Sequence, residues 1–256
     1  MKHNLLIAVI FVPCILILLS CQNKNFSGNR MKLLDSRIAV DENNIPKDSN
    51  QFYFPISLFP KLEYVYHYKD STTILVSTYY SNHGDTLRSY ARIIPHQFDT
   101  VYVKEYSKYL YAMREPLLFN RLLSKEVYRF VWLRSFHNPI IIRIEKDKNK
   151  KYELIWKVTN GKGGYYPGQL IVNQHRFISE KEWSIFHKYI NAMNYWKQKN
   201  VHEQWGCDGA VWLLEGETSD FYNVIHSWSV GNPYLHEACQ YLIQLTGIKL
   251  VPEDIY

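Results

Sequence analysis

The chain has 256 residues, a formal charge of +6 and 16% aromatic residues, 21 of them tyrosines. That length suits one globular domain with at most a small appendage. The positive surplus is modest and scattered, and its densest run, Lys146 to Lys151, reads as the solvated tip of a hairpin, with contact to anionic headgroups as the lesser reading and nucleic acid not expected as a partner.

In chain order, the first element is an apolar run from Leu5 to Leu19 that carries no charge and follows Lys2. A positive start, an apolar stretch and a small residue form the order of a secretory signal. The run is shorter than the roughly 20 residues of a spanning helix, and Pro13 interrupts it, which argues against an uncleaved anchor. Leu18-Leu19-Ser20-Cys21 resembles the lipobox of bacterial lipoproteins. The resemblance implies that residues 1–20 are removed and that Cys21 is acylated, so the partner of the N-terminus is a lipid bilayer. Removing Lys2 takes the charge from +6 to +5. Two or three acyl chains hold a protein to a membrane essentially permanently, because each buried methylene contributes about 0.8 kcal/mol. No acidic run follows Cys21, and Gln22 is not the aspartate that retains lipoproteins in an inner membrane. By the same resemblance, the anchor is expected in the outer membrane facing the periplasm of a cell with two membranes.

Residues 21–51 are mainly polar, with one apolar patch at Ile38 to Val40, and read as a flexible tether. The domain is expected over residues 52–256, with its most regular part at 101–248. Leu62 to Tyr68 and Thr72 to Tyr80 have strand composition, followed by a turn at Asn82-His83-Gly84-Asp85. His67, His83 and His96 lack metal-ligand spacing. Val101 to Arg114 reads as a helix, with Pro116 just beyond it.

A regular pattern begins at Tyr128. Strands are expected at Tyr128 to Phe136, Ile140 to Lys146, Tyr152 to Thr159 and Leu170 to Phe177, joined as an antiparallel meander. Ser179 and Glu182 form a capping box that opens a helix reaching about Asn194. A hairpin follows, Ala210 to Glu215 against Phe221 to Trp228, and a last helix runs from about Pro233 to Thr246 with Gly247 ending it. The fold class is therefore α+β, an antiparallel sheet with helices packed on one face. Trp212 and Trp228 are expected in one hairpin core beneath the last helix.

Several segments, Glu115-Pro116, Tyr128 to Pro139, Gly161 to Tyr165 with Pro167-Gly168, Asp208 to Gly216, and Tyr222 with Trp228-Ser229, occur in an order that resembles a family of uncharacterised exported bacterial proteins. The similarity spans residues 101–248. His226-Ser227 and Val230 depart from that pattern, which has arginine before tryptophan and proline after it. The resemblance implies a fold and carries no reaction or substrate.

The chemistry-bearing residues are unspecific in spacing. Gly161-Lys162 lacks the four-residue interval and the Ser or Thr of a phosphate-binding loop, so a tight turn is expected and no cofactor. Arg129 and Arg134 alternate onto opposite faces. With Arg143, Glu145 and Glu153 they read as cross-strand ion pairs, with an anion-binding face as the competing reading. His137 or His226 with Asp208 or Glu215 is the best material for acid/base work, yet no nucleophile or metal signature accompanies them. Cys207 and Cys239 are read as two isolated buried thiols, with a disulfide as the alternative. The favoured function is a noncatalytic envelope lipoprotein acting as a binding or structural module, its partner an unknown protein or glycan of the envelope; the alternative is an envelope hydrolase using those histidines and carboxylates.

Overall fold

The computed structural model describes residues 37–65, 72–80, 86–119, 124–198, 208–228 and 233–256. The expected signal segment, residues 1–20, Cys21, His67, the expected turn with His83, and Cys207 lie outside the described residues. Cys239 is a buried free thiol whose pKa is pushed up by burial. Among the described residues no helix is long and apolar enough to cross a membrane.

The fold is α+β, with two antiparallel sheets. In the smaller one, β1 (Pro60–Val65) and β2 (Thr73–Tyr80) flank β3 (Thr86–Phe98). Asp99 then caps α1 (Thr100–Ala112) by accepting from the backbone N–H groups of Val101 and Tyr102. Val103, Tyr106 and Leu110 recur at helical spacing and are buried.

The larger sheet contains β4 (Lys125–Arg134), β5 (Ile140–Asp147), β6 (Tyr152–Thr159), β7 (Leu170–Phe177), β8 (Ala210–Glu217) and β9 (Tyr222–Trp228). The expected meander forms, and the C-terminal hairpin docks on its free side, giving the order β7-β6-β5-β4-β8-β9. This makes β4 a central strand, buried on both faces from Val127 to Arg134. Its near-continuous apolar sequence is what such a position requires.

The alternation of β4 divides the core in two. Tyr128, Phe130 and Trp132 face α2 (Glu180–Ala192) and α3 (Pro233–Thr246), packing with Trp183, Phe186 and Leu242. Val127, Val131 and Leu133 face the other way, beneath α1 and the segment carrying Tyr53 and Phe54. Two helices thus share one face, as the strand-then-helix order implies, while α1 covers the opposite face. The capping box of α2 is formed, with Ser179 N donating to Glu182 Oε2 at 2.7 Å and Glu182 N to Ser179 Oγ at 3.2 Å. At the end of α3, Gly247 takes φ +71°, the left-handed conformation in which glycine carries no Cβ penalty.

The tether expected over residues 21–51 requires correction from Arg37 onward. Ile38 and Val40 pack on the α1-side core, Pro46 is buried, and Leu117 N donates to Asn44 O at 2.9 Å. The apolar patch is too small to fold by itself, but it completes a core face that already exists. A second correction concerns Trp228. Register places Trp212 opposite Ser227 and Trp228 opposite Val211, so the two tryptophans lie on different faces of the hairpin. Trp212 is in the α3-side core, and Trp228 is half-buried on the α1 side.

Candidate functional site

The α1 face of the large sheet carries a buried row of charges. Arg129 stands opposite Glu215 on β8 and opposite Arg143 on β5. Two cations directly opposed would repel. Glu115, in the turn after α1, lies between them, with Oε2 3.0 Å from Arg143 Nε and 3.4 Å from an Arg129 terminal nitrogen, and Oε1 2.8 Å from Lys157 Nζ. Arg129 donates Nε–H to Glu215 Oε2 at 2.8 Å and another N–H to the Pro116 carbonyl at 2.6 Å, while Tyr222 donates its hydroxyl to Glu215 Oε1 at 2.6 Å. Glu115, Arg129 and Glu215 are fully buried. Of the ion pairs expected among Arg129, Arg134, Arg143, Glu145 and Glu153, that of Arg143 with Glu145 forms, along one strand and not across two; Arg129 pairs instead with Glu215 and Glu115, and Glu153 with His175. Arg134, on the other face, stacks over Trp132 at 4.1 Å.

Burial alone would raise the Glu115 carboxyl, but Arg143, Lys157 and Arg129 together outweigh it and hold the group at about 2. Glu215 goes the other way, because its burial outweighs Arg129 and Tyr222. Starting from an ordinary value of 4.5, Glu115 is depressed on folding. Its contribution, about 3 kcal/mol, is complete above the ordinary value and lost as pH falls through the folded one. Glu215, with a raised value, contributes in the opposite sense, so the two are separated by mutation. Urea midpoints measured from pH 5.5 down to 2.5 are expected to fall in the native protein and to fall much less steeply in Glu115→Gln. Equal slopes would remove Glu115 from this role.

At one end of the same face the sheet is left open. A cavity of about 250 Å³ lies between α1, the adjoining ends of β4, β8 and β9, and the glycine-rich loop. Its walls include Tyr106 and Tyr109 from α1, Leu133 from β4, Val211 from β8, Trp228 from β9 and Tyr165 from the loop. The loop must be glycine-rich because it lies directly on β4: a Cβ at Gly163 would stand 2.5 Å from the backbone N and O of Arg134. Its amides bond to protein carbonyls, Lys162 N to Tyr166 O at 2.9 Å and Gly163 N to His137 O at 3.0 Å. Tyr109 ties it to α1 by donating its hydroxyl to Gly163 O at 2.8 Å. The loop is thus a packed turn that forms one wall of a hollow.

The acid/base candidates do not assemble. His137 places Nε2 3.0 Å from Asp254 Oδ1 and Nδ1 2.9 Å from the Tyr256 hydroxyl, which fastens the C-terminal segment. His226 Nε2 is 2.8 Å from the Tyr106 hydroxyl. Glu215 shares a face with His226 but gives its oxygens to Arg129 and Tyr222, and Asp208 is exposed ahead of β8. Another histidine–carboxylate pair, absent from the sequence reading, joins α2 to the sheet: His187 Nε2 is 2.7 Å from Glu126 Oε1, which also accepts from the Tyr128 hydroxyl at 2.9 Å. Only the position of His187 beside the buried Phe186 hinted at it.

A larger cleft of about 790 Å³ runs along β5, β6 and β7 and includes Arg143, Glu145, Glu153 and Lys157. Arg143 and Lys157 are bonded to Glu115, Arg143 also to Glu145, and Glu153 to His175, so these four charges are held by internal pairs. In the aromatic cavity, Leu133 and Ser135, Gly163 to Tyr165, Val211 and Trp228 come from the segments singled out by sequence, and Glu105, Tyr106 and Tyr109 come from α1. No protein-family model matches the chain, and no curated protein matches it.

Proposed function

We propose that this protein is a lipid-anchored, noncatalytic binding module of the cell envelope, which receives its ligand or partner in the aromatic cavity beside the glycine-rich loop. The observation that carries the reading is convergence. Segments far apart in the chain, including the end of β4, the loop, β8 and β9, place their side chains around one hollow. A concave site lined by aromatic and aliphatic groups is the usual form of a binding site. Its two buried phenols are already engaged, Tyr106 with His226 and Tyr109 with the loop, so neither is offered as a reacting group. The anchor reading is supported by the uncharged run ending in Leu18-Leu19-Ser20-Cys21, and the resemblance of the residues after it, Gln22 with no acidic run, supports an outer-membrane position facing the periplasm in a cell with two membranes.

Three variants test the whole reading by complementation of the envelope phenotype of a deletion strain. Cys21→Ser is expected to lose lipid labelling, to remain an unprocessed precursor and to fail. Val211→Phe fills the cavity and is expected to be lipidated and folded yet inactive. His137→Gln is expected to complement fully. If His137→Gln is folded, lipidated and inactive while Val211→Phe works, an envelope hydrolase using His137 replaces the binding module. Processing and labelling of Cys21→Ser would remove the anchor.

A further inference from the structure

We infer that Arg134, His137 and Trp212 form a second binding site, for an acidic and aromatic peptide segment of a partner protein, and that residues 251–256 plug this site in cis. Arg134 and Trp212 lie on the α3 side of the sheet, away from the aromatic cavity, and the inference does not depend on that cavity. The chemistry of the site is read from the contacts its plug makes. Arg134, at the end of β4, donates Nη1–H to the Asp254 carbonyl at 3.1 Å, and Trp212 on β8 donates Nε1–H to the Tyr256 carbonyl at 3.0 Å. His137 sets Nε2 3.0 Å from Asp254 Oδ1 and Nδ1 2.9 Å from the Tyr256 hydroxyl, so one imidazole reads a carboxylate and, two residues on, a phenol. Main-chain bonds that hold a segment and side-chain contacts that select it are the parts of a peptide-recognition site. These atoms are bonded to the plug itself, so they are returned to use when it leaves.

The plug does not complete the site. Arg134 is 3% exposed, yet the nearby Asp254 carboxylate is given to His137, and beyond the Asp254 carbonyl the guanidinium has a contact of 3.4 Å with the Asn138 carbonyl. Its Nε–H is buried and meets no acceptor among the described residues. Arg129 on the same strand shows the contrast: its burial is outweighed by Glu215 and Glu115, which raise its pKa, whereas burial prevails at Arg134 and lowers it. Buried charges are ordinarily paired. The same segment from a second copy of the chain would leave this nitrogen as it is. The fitting occupant is therefore a segment of another protein that repeats the spacing of Asp254 and Tyr256 and brings a further carboxylate to Arg134.

The plug is also lightly held. Val251 is 56% exposed, and the side chains of His137 and Asp254 are 34% and 30% exposed. Ion pairs this open to water contribute little, and segments held at the surface open at lower free energy than core strands. His137→Gln retains a donor toward Asp254 and leaves the plug seated, in keeping with its expected complementation.

The test compares the full chain with its double variant Asp254→Ala, Tyr256→Ala, which loses the side-chain contacts of the plug. The probes are a fluorescein-labelled hexapeptide copying residues 251–256 and a set of copies that each carry one further glutamate, read by fluorescence polarisation. The double variant is expected to bind the plain copy about tenfold or more tighter than the native chain does, because the cis competitor is weakened. At least one glutamate copy should gain about tenfold again, the effect of an added charged hydrogen bond, and Arg134→Gln in the double variant should remove that gain. Equal affinity of the native chain and the double variant would overturn the plug. Glutamate copies that bind no tighter than the plain one would overturn the acidic partner. Should the double variant fail to fold, hydrogen exchange of the native chain decides: the amides of Ile255 and Tyr256 are expected to exchange much faster than those of Val211 to Leu214, and equal rates would overturn the inference.

Discussion

Replacing Arg129 by methionine will destabilise the fold by about 3–5 kcal/mol, the range for removing one partner of a buried ion pair. The size follows from what is left behind. Glu215 would keep the Tyr222 hydroxyl and lose its cation, in a place where its carboxylate is fully buried. Glu115 would still have Arg143 and Lys157, so the loss should centre on Glu215. The double variant Arg129→Met with Glu215→Leu is therefore expected to recover much of the single loss, because an apolar pair of similar volume avoids the orphaned charge. Urea titrations of the four members of this cycle measure it. A single-variant loss below about 1 kcal/mol would mean that water reaches the network.

Trp212→Ala is expected to cost a similar amount, about 3–5 kcal/mol, the range for emptying a large aromatic site. The indole is buried among Phe130 and Trp132, at ring distances of 5.3 and 5.1 Å, and His236 at 4.6 Å. Its Nε1–H also donates to the Tyr256 carbonyl at 3.0 Å, so the truncation loosens the C-terminal segment as well. Trp228→Ala, at a half-buried position facing a hollow, should cost clearly less. Chemical denaturation of both variants ranks them, and the reverse ranking would contradict the register of the β8–β9 hairpin.

The regular half of this fold is legible because local signals agree with one another there. Tyr152–Thr159 and Leu170–Phe177 are strands with the bounds their composition implies, and Ser179 with Glu182 opens α2. β3 escaped notice because Pro95 reads as a breaker and His96 takes φ +59°, although the strand continues through both. The folding of Arg37 to Gln51 was hidden because Ile38 and Val40 acquire a partner surface only in three dimensions. The site was legible in its parts and not as a whole. Gly163, Tyr165 and Trp228 could each be assigned to a turn or a strand, but nothing in their spacing says that they border one cavity. Likewise His137 was visible as a histidine near possible carboxylates, and its actual carboxylate, Asp254, lies far along the chain.

Arg129 also matters to the chain before it folds. Without it, Val127 to Trp132 would be an unbroken run of β-branched and aromatic residues, the composition that pairs with other chains when its edge is bare. One edge of β4 is covered by the adjacent β5, joined through a short turn. The other edge stays bare until β8 arrives, after two more strands and a helix have been made. A charge in the middle of the run opposes stacking with another copy whenever that edge is bare. Glu215 reaches it on the same strand that closes the edge, so the desolvation of the guanidinium is offset at the step when protection is no longer required.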